Sequence, residues 1–476
     1  MKASPSNAER EGLVEPDNGV EGLRVALAAT QAELAALRNS TSWRLTAPLR
    51  ALMACLPHKR ATGPSEKNTS EQASILAPEP SAEASAPAKA SGQTRIAQVA
   101  GASMAQRLNT LAVEGHRVAY LAENLHSSTY RYRAYNMVQT LSKSQADRGA
   151  LFFLEEVAHA QSIAQACTLL VISRARFDHR LESFVNAFHD QGKPVWFDLD
   201  DYLINTQAVG LLIHSQQQDP NVDAHWHYWY GIVSRMADAM RLCDGVMTTT
   251  PELAGLIKQV FQGPVAVLPN FANDEQQAVS APLFEARQRA PVMSRLQDRV
   301  QLGYFSGSAS HNGDFARLTP ALCDWMERDP RVGLTVVGPL ALGIVQERFA
   351  HRVTHLPFMD YLDLQQEMAK VDLNLIALQS NTFTHCKSEL KYFEAALVGT
   401  PSIATDVPVY QRAIVHGQNG YLAYDNDWAS AFRYVMAQAP DYDRVAQEAH
   451  RDALLHYTGQ SHLGPLLALL NKATRT

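Results

Sequence analysis

Long apolar runs are missing from the chain, so no membrane-spanning helix is expected. Its first residues, MKASPSNAEREGL, lack the apolar core of a secretion signal. Cysteine is sparse. The five present (Cys55, Cys167, Cys243, Cys323, Cys386) are scattered and include no C-x-x-C pair. That excludes a zinc finger or a disulfide framework and suits a reducing cytoplasm. Charge is neither dense nor one-sided: 19% of residues are charged and the net value is −6 over 476 residues, which argues against a general nucleic-acid binder. Aromatic residues are wholly absent between Trp43 and Tyr120. What remains is an apolar fraction of 46%, enough for real cores, in a chain long enough for two domains.

The aromatic-poor region divides in three. Leu23, Leu27, Leu34 and Leu37 form a narrow stripe among alanines, predicting a short coiled-coil or docking helix. Residues 42–60, SWRLTAPLRALMACLPHKR, mix Trp43 and leucines with arginines. Such a segment either lies in a membrane interface or packs on a protein partner. From 61 to 95 the composition turns to Ala, Pro, Ser and Glu, which cannot bury enough apolar area to fold. This reads as a disordered linker, its ends roughly 30–35 Å apart.

Beyond it, short apolar runs alternate with helical stretches. HRVAYLA, ALFFL, TLLVIS, PVWFDL, DGVMTTT and VAVLPN predict strands of a parallel sheet covered on both faces. Ligands gather at the carboxyl ends of such strands. Those ends carry Asn124 to Arg133, Arg174, Asp198 to Asp201 and Thr249 to Glu252. Asp198, Asp200 and Asp201 could hold a metal against a diphosphate, face the cleft toward a sugar, or simply cap a strand-to-helix turn. The run HWHYWYG at 225–231 lacks zinc-ligand spacing and suits an aromatic wall or helix packing.

A polar connection is expected over residues 273–295, after which the α/β rhythm restarts. The strand VQLGYFSG runs into SGSASHNGD, whose Gly307 and Ser308 let backbone amides approach a phosphate. Strands GLTVVG, VTHLPFM and LNLIAL follow. The densest stretch is NTFTHCKSELKYFEAALVGTPSIATD, residues 381–406. Ser388 is expected to cap a helix whose apolar face holds Leu390, Phe393 and Leu397; Gly399 and Pro401 end it. Lys387, Ser388, Lys391 and Glu394 cluster near the start of this helix. Cations beside free helix amides suit phosphate oxygens, and a carboxylate one turn on suits a ribose diol. The same spacing also occurs on solvated helix faces with weak ion pairs.

KSELKYFEAALVGTPSIAT resembles the donor-binding helix of retaining GT-B glycosyltransferases of family four, in the subgroup of bacterial surface-polysaccharide enzymes. The likeness spans roughly residues 115–430. SWRLTAPLR likewise resembles an element found beside bacterial polysaccharide glycosyltransferases. In the family a Glu-x7-Glu pair contacts donor sugar and ribose; Glu394 matches the second, while Cys386 stands at the first. The resemblance implies an α/β fold of GT-B type, with two Rossmann-like domains facing a cleft, a helical N-terminal extension and a linker. The corresponding divisions are 1–60, 61–95, 96–285 for the acceptor, 286–425 for the donor, and 426–476 as closing helices. It implies donor contacts from Gly307, Ser308, Lys387, Ser388, Lys391, Glu394 and, beside the nucleobase, Phe358. Asn124, Arg131 and Arg133 fall on the acceptor side, and Lys387, Asp200 and Asp201 at the reacting centre. No metal or cofactor is implied beyond the nucleotide-sugar substrate. The alternative is a nucleotide-sugar-binding subunit with weak catalysis, since Cys386 is not a carboxylate.

Overall fold

The structure, a computed structural model, describes residues 92–123, 128–289, 296 and 298–474. The expected helices within 20–60, and the linker up to residue 91, lie outside the described residues. The first described element is the helix Gly92–Ala100.

Strands β1 (Arg117–Ala122), β2 (Arg148–Phe153), β3 (Leu169–Ser173), β4 (Val195–Leu199), β5 (Gly245–Thr248) and β6 (Val265–Val267) form one sheet. All pairings are parallel, in the order β2-β1-β3-β4-β5-β6. Their side chains alternate between two cores: Val118, Tyr120, Leu151 and Met247 on one face, Ala119, Leu121, Phe152 and Ile172 on the other. Both faces are covered, which is why these strands read as near-continuous apolar runs.

The second sheet is built from β7 (Val300–Phe305), β8 (Val332–Val337), β9 (Val353–Leu356), β10 (Leu373–Ile376), β11 (Ser402–Thr405) and β12 (Tyr421–Ala423). It too is parallel, ordered β9-β8-β7-β10-β11-β12. Third, second, first, fourth, fifth, sixth is the doubly wound Rossmann order, with its switch point between β7 and β10. In the first sheet the order reverses between β1 and β3. Each switch point opens a crevice at the carboxyl ends of its strands.

One expectation changes here. The polar connection over 273–295 is largely a helix, Asp274–Arg289. Its buried face is polar: Gln276, Ser280 and Arg287 are all buried. Ser280 donates to Gln365 Oε1 at 2.8 Å and Arg287 to the Val371 carbonyl at 2.9 Å. A helix that buries hydrogen bonds in place of leucines leaves no apolar period to detect. Beyond β1 the described chain resumes at residue 128. The helix Ser128–Tyr130 continues into a π-helical turn, Arg131–Tyr135, and then the helix Asn136–Leu141.

The chain passes from the second sheet back to the first at its end. The helix Gly459–Ala473 packs Leu466, Leu469, Leu470 and Ala473 into the core beside Val118 and Tyr120. No helix of the described residues is long and apolar enough to cross a membrane.

Candidate functional site

The loop after β7 is fixed from inside. Ser306 Oγ donates to the carbonyls of Ser308 at 2.8 Å and Pro339 at 3.1 Å. Gly338, with φ +89°, lets the two loops meet; a Cβ there would stand 1.9 Å from the Ser306 carbonyl oxygen. Ser308 and Ser310 hydroxyls share a hydrogen bond of 2.6 Å, and the space around Gly307 is open.

The helix of the dense stretch runs Leu390–Leu397, beginning one residue later than a Ser388 cap would place it. Glu389 holds the capping position without a side-chain cap. Ser388 instead accepts a hydrogen bond from Asn270 Nδ2 of the first domain, 3.1 Å away. Gly399 does end the helix, at φ +70°.

The two lysines lie against aromatic rings. Lys387 Nζ stands 4.8 Å from the Phe383 ring centroid and Lys391 Nζ 5.3 Å from that of Tyr304. Neither forms an ion pair with a carboxylate among the described residues. Burial, and then the Lys387 charge, push Lys391 down to about 8, with Asp314 and Glu394 opposing. Two half-buried ammoniums that repel each other and form no ion pair among the described residues favour an anion beside them. His311, between the serine loop and the following helix, shares the area: its Nδ1 is 2.9 Å from Asp314 Oδ2. Asp314 Oδ1 in turn accepts the Gln379 amide at 2.9 Å, tying the ends of β7 and β10 together. Against burial, the His311 hydrogen bond holds Asp314 below the usual carboxylate range.

Across the cleft, Arg174 follows β3 in a left-handed backbone conformation, φ +45°. Its Nη1 reaches Thr129 Oγ1, Asp200 Oδ1 and Asp201 Oδ2, each at 3.0 Å. Burial works against Asp201, yet Arg174 and then Lys387 hold its carboxyl below its ordinary value. Asp200 and Asp201 are therefore brought to the cleft, already paired to Arg174. Asp198 is not: it is wholly buried and bound to Arg133, Nε to Oδ1 2.8 Å. Burial pushes it up to about 6 despite that partner.

Arg133, read as an acceptor-side residue, is not presented to a ligand. It is wholly buried and spends its donors on Asp198, the Leu268 carbonyl and Asn270. Arg131 is also buried, its guanidinium 4.3 Å from the Tyr132 ring and 4.1 Å from the Tyr361 ring. It lies 3.3 Å from Glu394 Oε1, which also accepts from the Tyr132 hydroxyl and from Gln276 Nε2 at 3.2 Å. All these contacts converge on a single oxygen of Glu394. Asn124 lies outside the described residues. Phe358, after β9, is 59% exposed. Cys386 is buried, its thiol pushed up to about 12 by burial, and its carbonyl accepts from Thr250 Oγ1 at 3.2 Å.

One open recess, about 530 Å³, is lined by Gly115, His116, Asp147 and Thr168, at the amino ends of the first-sheet strands and away from this chemistry. A second, about 310 Å³, lies between Glu252, Leu256, Thr382 and Cys386.

Residues 304–439 match the family model described as glycosyl transferases group 1. That segment is similar to group 1 glycosyltransferases. The whole described fold agrees. HepE of Anabaena, solved in complex with UDP, aligns with a TM-score of 0.52 at 14% identity, over 75% of this chain and 100% of that one. The same protein solved with UDP-glucose gives 0.50 at 15% identity, again over 75% and 100%. A glycosyltransferase of Rickettsia africae gives 0.52 at 10% identity, over 76% and 100%. No curated protein matches the chain in sequence. These likenesses establish the GT-B arrangement of two Rossmann-like domains. Lys387, Lys391, Glu394 and the serine loop all lie within the matched segment, together with His311 and Asp314, which the sequence reading had passed over.

Proposed function

We propose that the protein is a retaining glycosyltransferase, moving a sugar from a nucleotide-sugar donor to a glycan or lipid-linked glycan in bacterial surface-polysaccharide synthesis. The observation that carries this is the pair of half-buried lysines, Lys387 and Lys391, held over aromatic rings and in no ion pair among the described residues, beside an open serine-glycine loop. A diphosphate supplies the missing anion. Gly307 and Ser308 offer it backbone amides, and Phe358 offers an exposed ring to the base. Glu394, with Oε1 already bound by Tyr132, Arg131 and Gln276, keeps Oε2 for the ribose. Residues 286–425 hold the donor, 96–285 the acceptor, and 426–476 close the unit.

In the transfer, an acceptor hydroxyl oxygen bonds to the anomeric carbon on the face the diphosphate leaves. The anomeric carbon–oxygen bond to phosphate breaks, and the hydroxyl proton passes to the departing phosphate oxygen. The protein contributes position and charge. Lys387 and Lys391 stabilise the negative charge that grows on the diphosphate, typically the largest single term in such sites. Asp200 and Asp201, braced by Arg174, line the opposite wall where the acceptor and the transferred sugar meet. No metal is required in this scheme. Residues 20–60 hold the enzyme at the cytoplasmic face of a membrane or on a protein partner.

One observation favours a second reading, that of a binding subunit with little turnover: Cys386 stands where relatives carry a carboxylate, and its thiol is buried. Incubation with a panel of nucleotide sugars and polyprenyl-linked acceptors, with and without chelator, tests both. Chelator-resistant transfer supports the enzyme. Tight donor binding without transfer or donor hydrolysis supports the subunit, and no binding of any nucleotide sugar removes both.

A further inference from the structure

His311 is a half-buried titratable group to which the transfer chemistry above gives no role. Its imidazole is held by one nitrogen. Nδ1 lies 2.9 Å from Asp314 Oδ2, and the other oxygen of that carboxylate accepts the Gln379 amide, so Asp314 cannot turn away. An acceptor fixed at Nδ1 assigns the ring proton there and leaves Nε2 as a lone pair. The groups facing the ring are Asp314 on its own helix, Lys387 and Lys391 from the segment after β10, and Asp201 from the first domain. Burial, then Lys391, holds the ring down to about 4, with the Asp314 hydrogen bond opposing. The ring is therefore neutral and feels the charges of both Lys391 and Lys387.

We propose that His311 is a donor-binding residue that meets the diphosphate through Nε2 and takes a proton from solvent as it does so. This rests on the donor site argued above. A diphosphate lying between Lys387 and Lys391 cancels the charges that keep the ring neutral. An anion within hydrogen-bond reach also favours imidazolium by about one to three pK units. Nδ1 keeps its hydrogen bond to Asp314, which stabilises the cation. The imidazolium then becomes a third positive group on the diphosphate, present only while the donor is bound. Proton uptake couples donor affinity to pH through this one residue.

Isothermal titration of the full chain with UDP-glucose, and with GDP-, ADP- and dTDP-sugars, is run in buffers of different ionisation enthalpy. Nucleotide sugars do not themselves titrate between about pH 5 and 8, and the lysines stay charged at the acid end. The expected result is uptake of about one proton per bound donor near pH 5.5, fading as pH rises toward about 7, above which Lys391, held down to about 8, supplies an uptake of its own. His311→Gln should abolish the uptake near pH 5.5, and Asp314→Asn should reduce it. A direct check needs no variant: the imidazole ¹⁵N signal of His311 should move to the doubly protonated position when donor is added. Donor binding without uptake, or uptake unchanged in folded His311→Gln, overturns the assignment but leaves the donor site standing. Failure of every nucleotide sugar to bind the wild-type chain overturns both.

Discussion

Asp198→Ala should unfold the first domain more readily without touching metal dependence. The side chains of Asp198 and Arg133 are both 0% exposed, with Nε and Oδ1 2.8 Å apart. Removing one partner strands the other charge in the interior, at a cost of about 3–5 kcal/mol. Set against a total stability of about 5–15 kcal/mol, that loss brings the domain near its limit. Adding Arg133→Met removes the stranded charge. It also leaves the Leu268 carbonyl and the Asn270 side chain without their donor, so the double variant should recover part of the loss and not all. Function should follow stability here, because Arg133 shares the π-helical turn with Arg131 and Tyr132, which hold Glu394. Urea denaturation followed by tryptophan fluorescence gives the shift in midpoint, and transfer is assayed with magnesium or chelator. A wild-type midpoint in Asp198→Ala, combined with lost activity that depended on a divalent ion, would refute the reasoning. Asp198 would then be serving a metal and not Arg133.

Three further outcomes are expected. Lys387→Ala should leave nucleoside affinity unchanged and weaken nucleotide sugars by about 1.5–3 kcal/mol, a gap that narrows as salt rises in calorimetric titrations. Glu389, buried and raised to about 7 mainly by burial, contributes stability that is present below its unfolded value of about 4.5 and lost as pH rises through 7. Thermal unfolding of Glu389→Gln should therefore gain on wild type between about pH 5 and 8, and parallel curves would dismiss the effect. Gly338→Ala should destabilise the chain by at least about 1–3 kcal/mol and lower donor affinity, since its Cβ meets the Ser306 carbonyl at 1.9 Å; unchanged melting and binding would contradict this.

Most strands of the two sheets were legible because buried parallel strands are short apolar runs, and VQLGYF and LNLI stand out in any chain; the edge strand Tyr421–Ala423, only three residues long, offers no such run. Gly399 was legible for a local reason, a left-handed residue followed by Pro401. Ser388 was misplaced because its partner, Asn270, lies 118 residues away, and local capping rules are blind to such competition. The helix Asp274–Arg289 was missed because Gln276, Ser280 and Arg287 bury polar groups. Arg131 and Arg133 looked like cleft cations because their cation–π and ion-pair partners, Tyr361 and Asp198, are remote in sequence. His311 had a usable local signal: in SHNGD, histidine and aspartate sit three apart at a helix start, the spacing that lets them pair.

The chain crosses between the two halves near Ala272 and again near Thr458, where those residues form an isolated bridge and the Ala272 amide donates to the Tyr457 carbonyl at 2.9 Å. Mechanically this is a door hung on two adjacent pins. Any opening of the cleft about the line through those pins would have to break the hydrogen bonds that join the halves further out, Asn270 to Ser388 and Thr250 to the Cys386 carbonyl among them, while leaving the two crossings intact. Ending the chain before residue 458 would remove one pin as well as the last helix, and the halves would swivel.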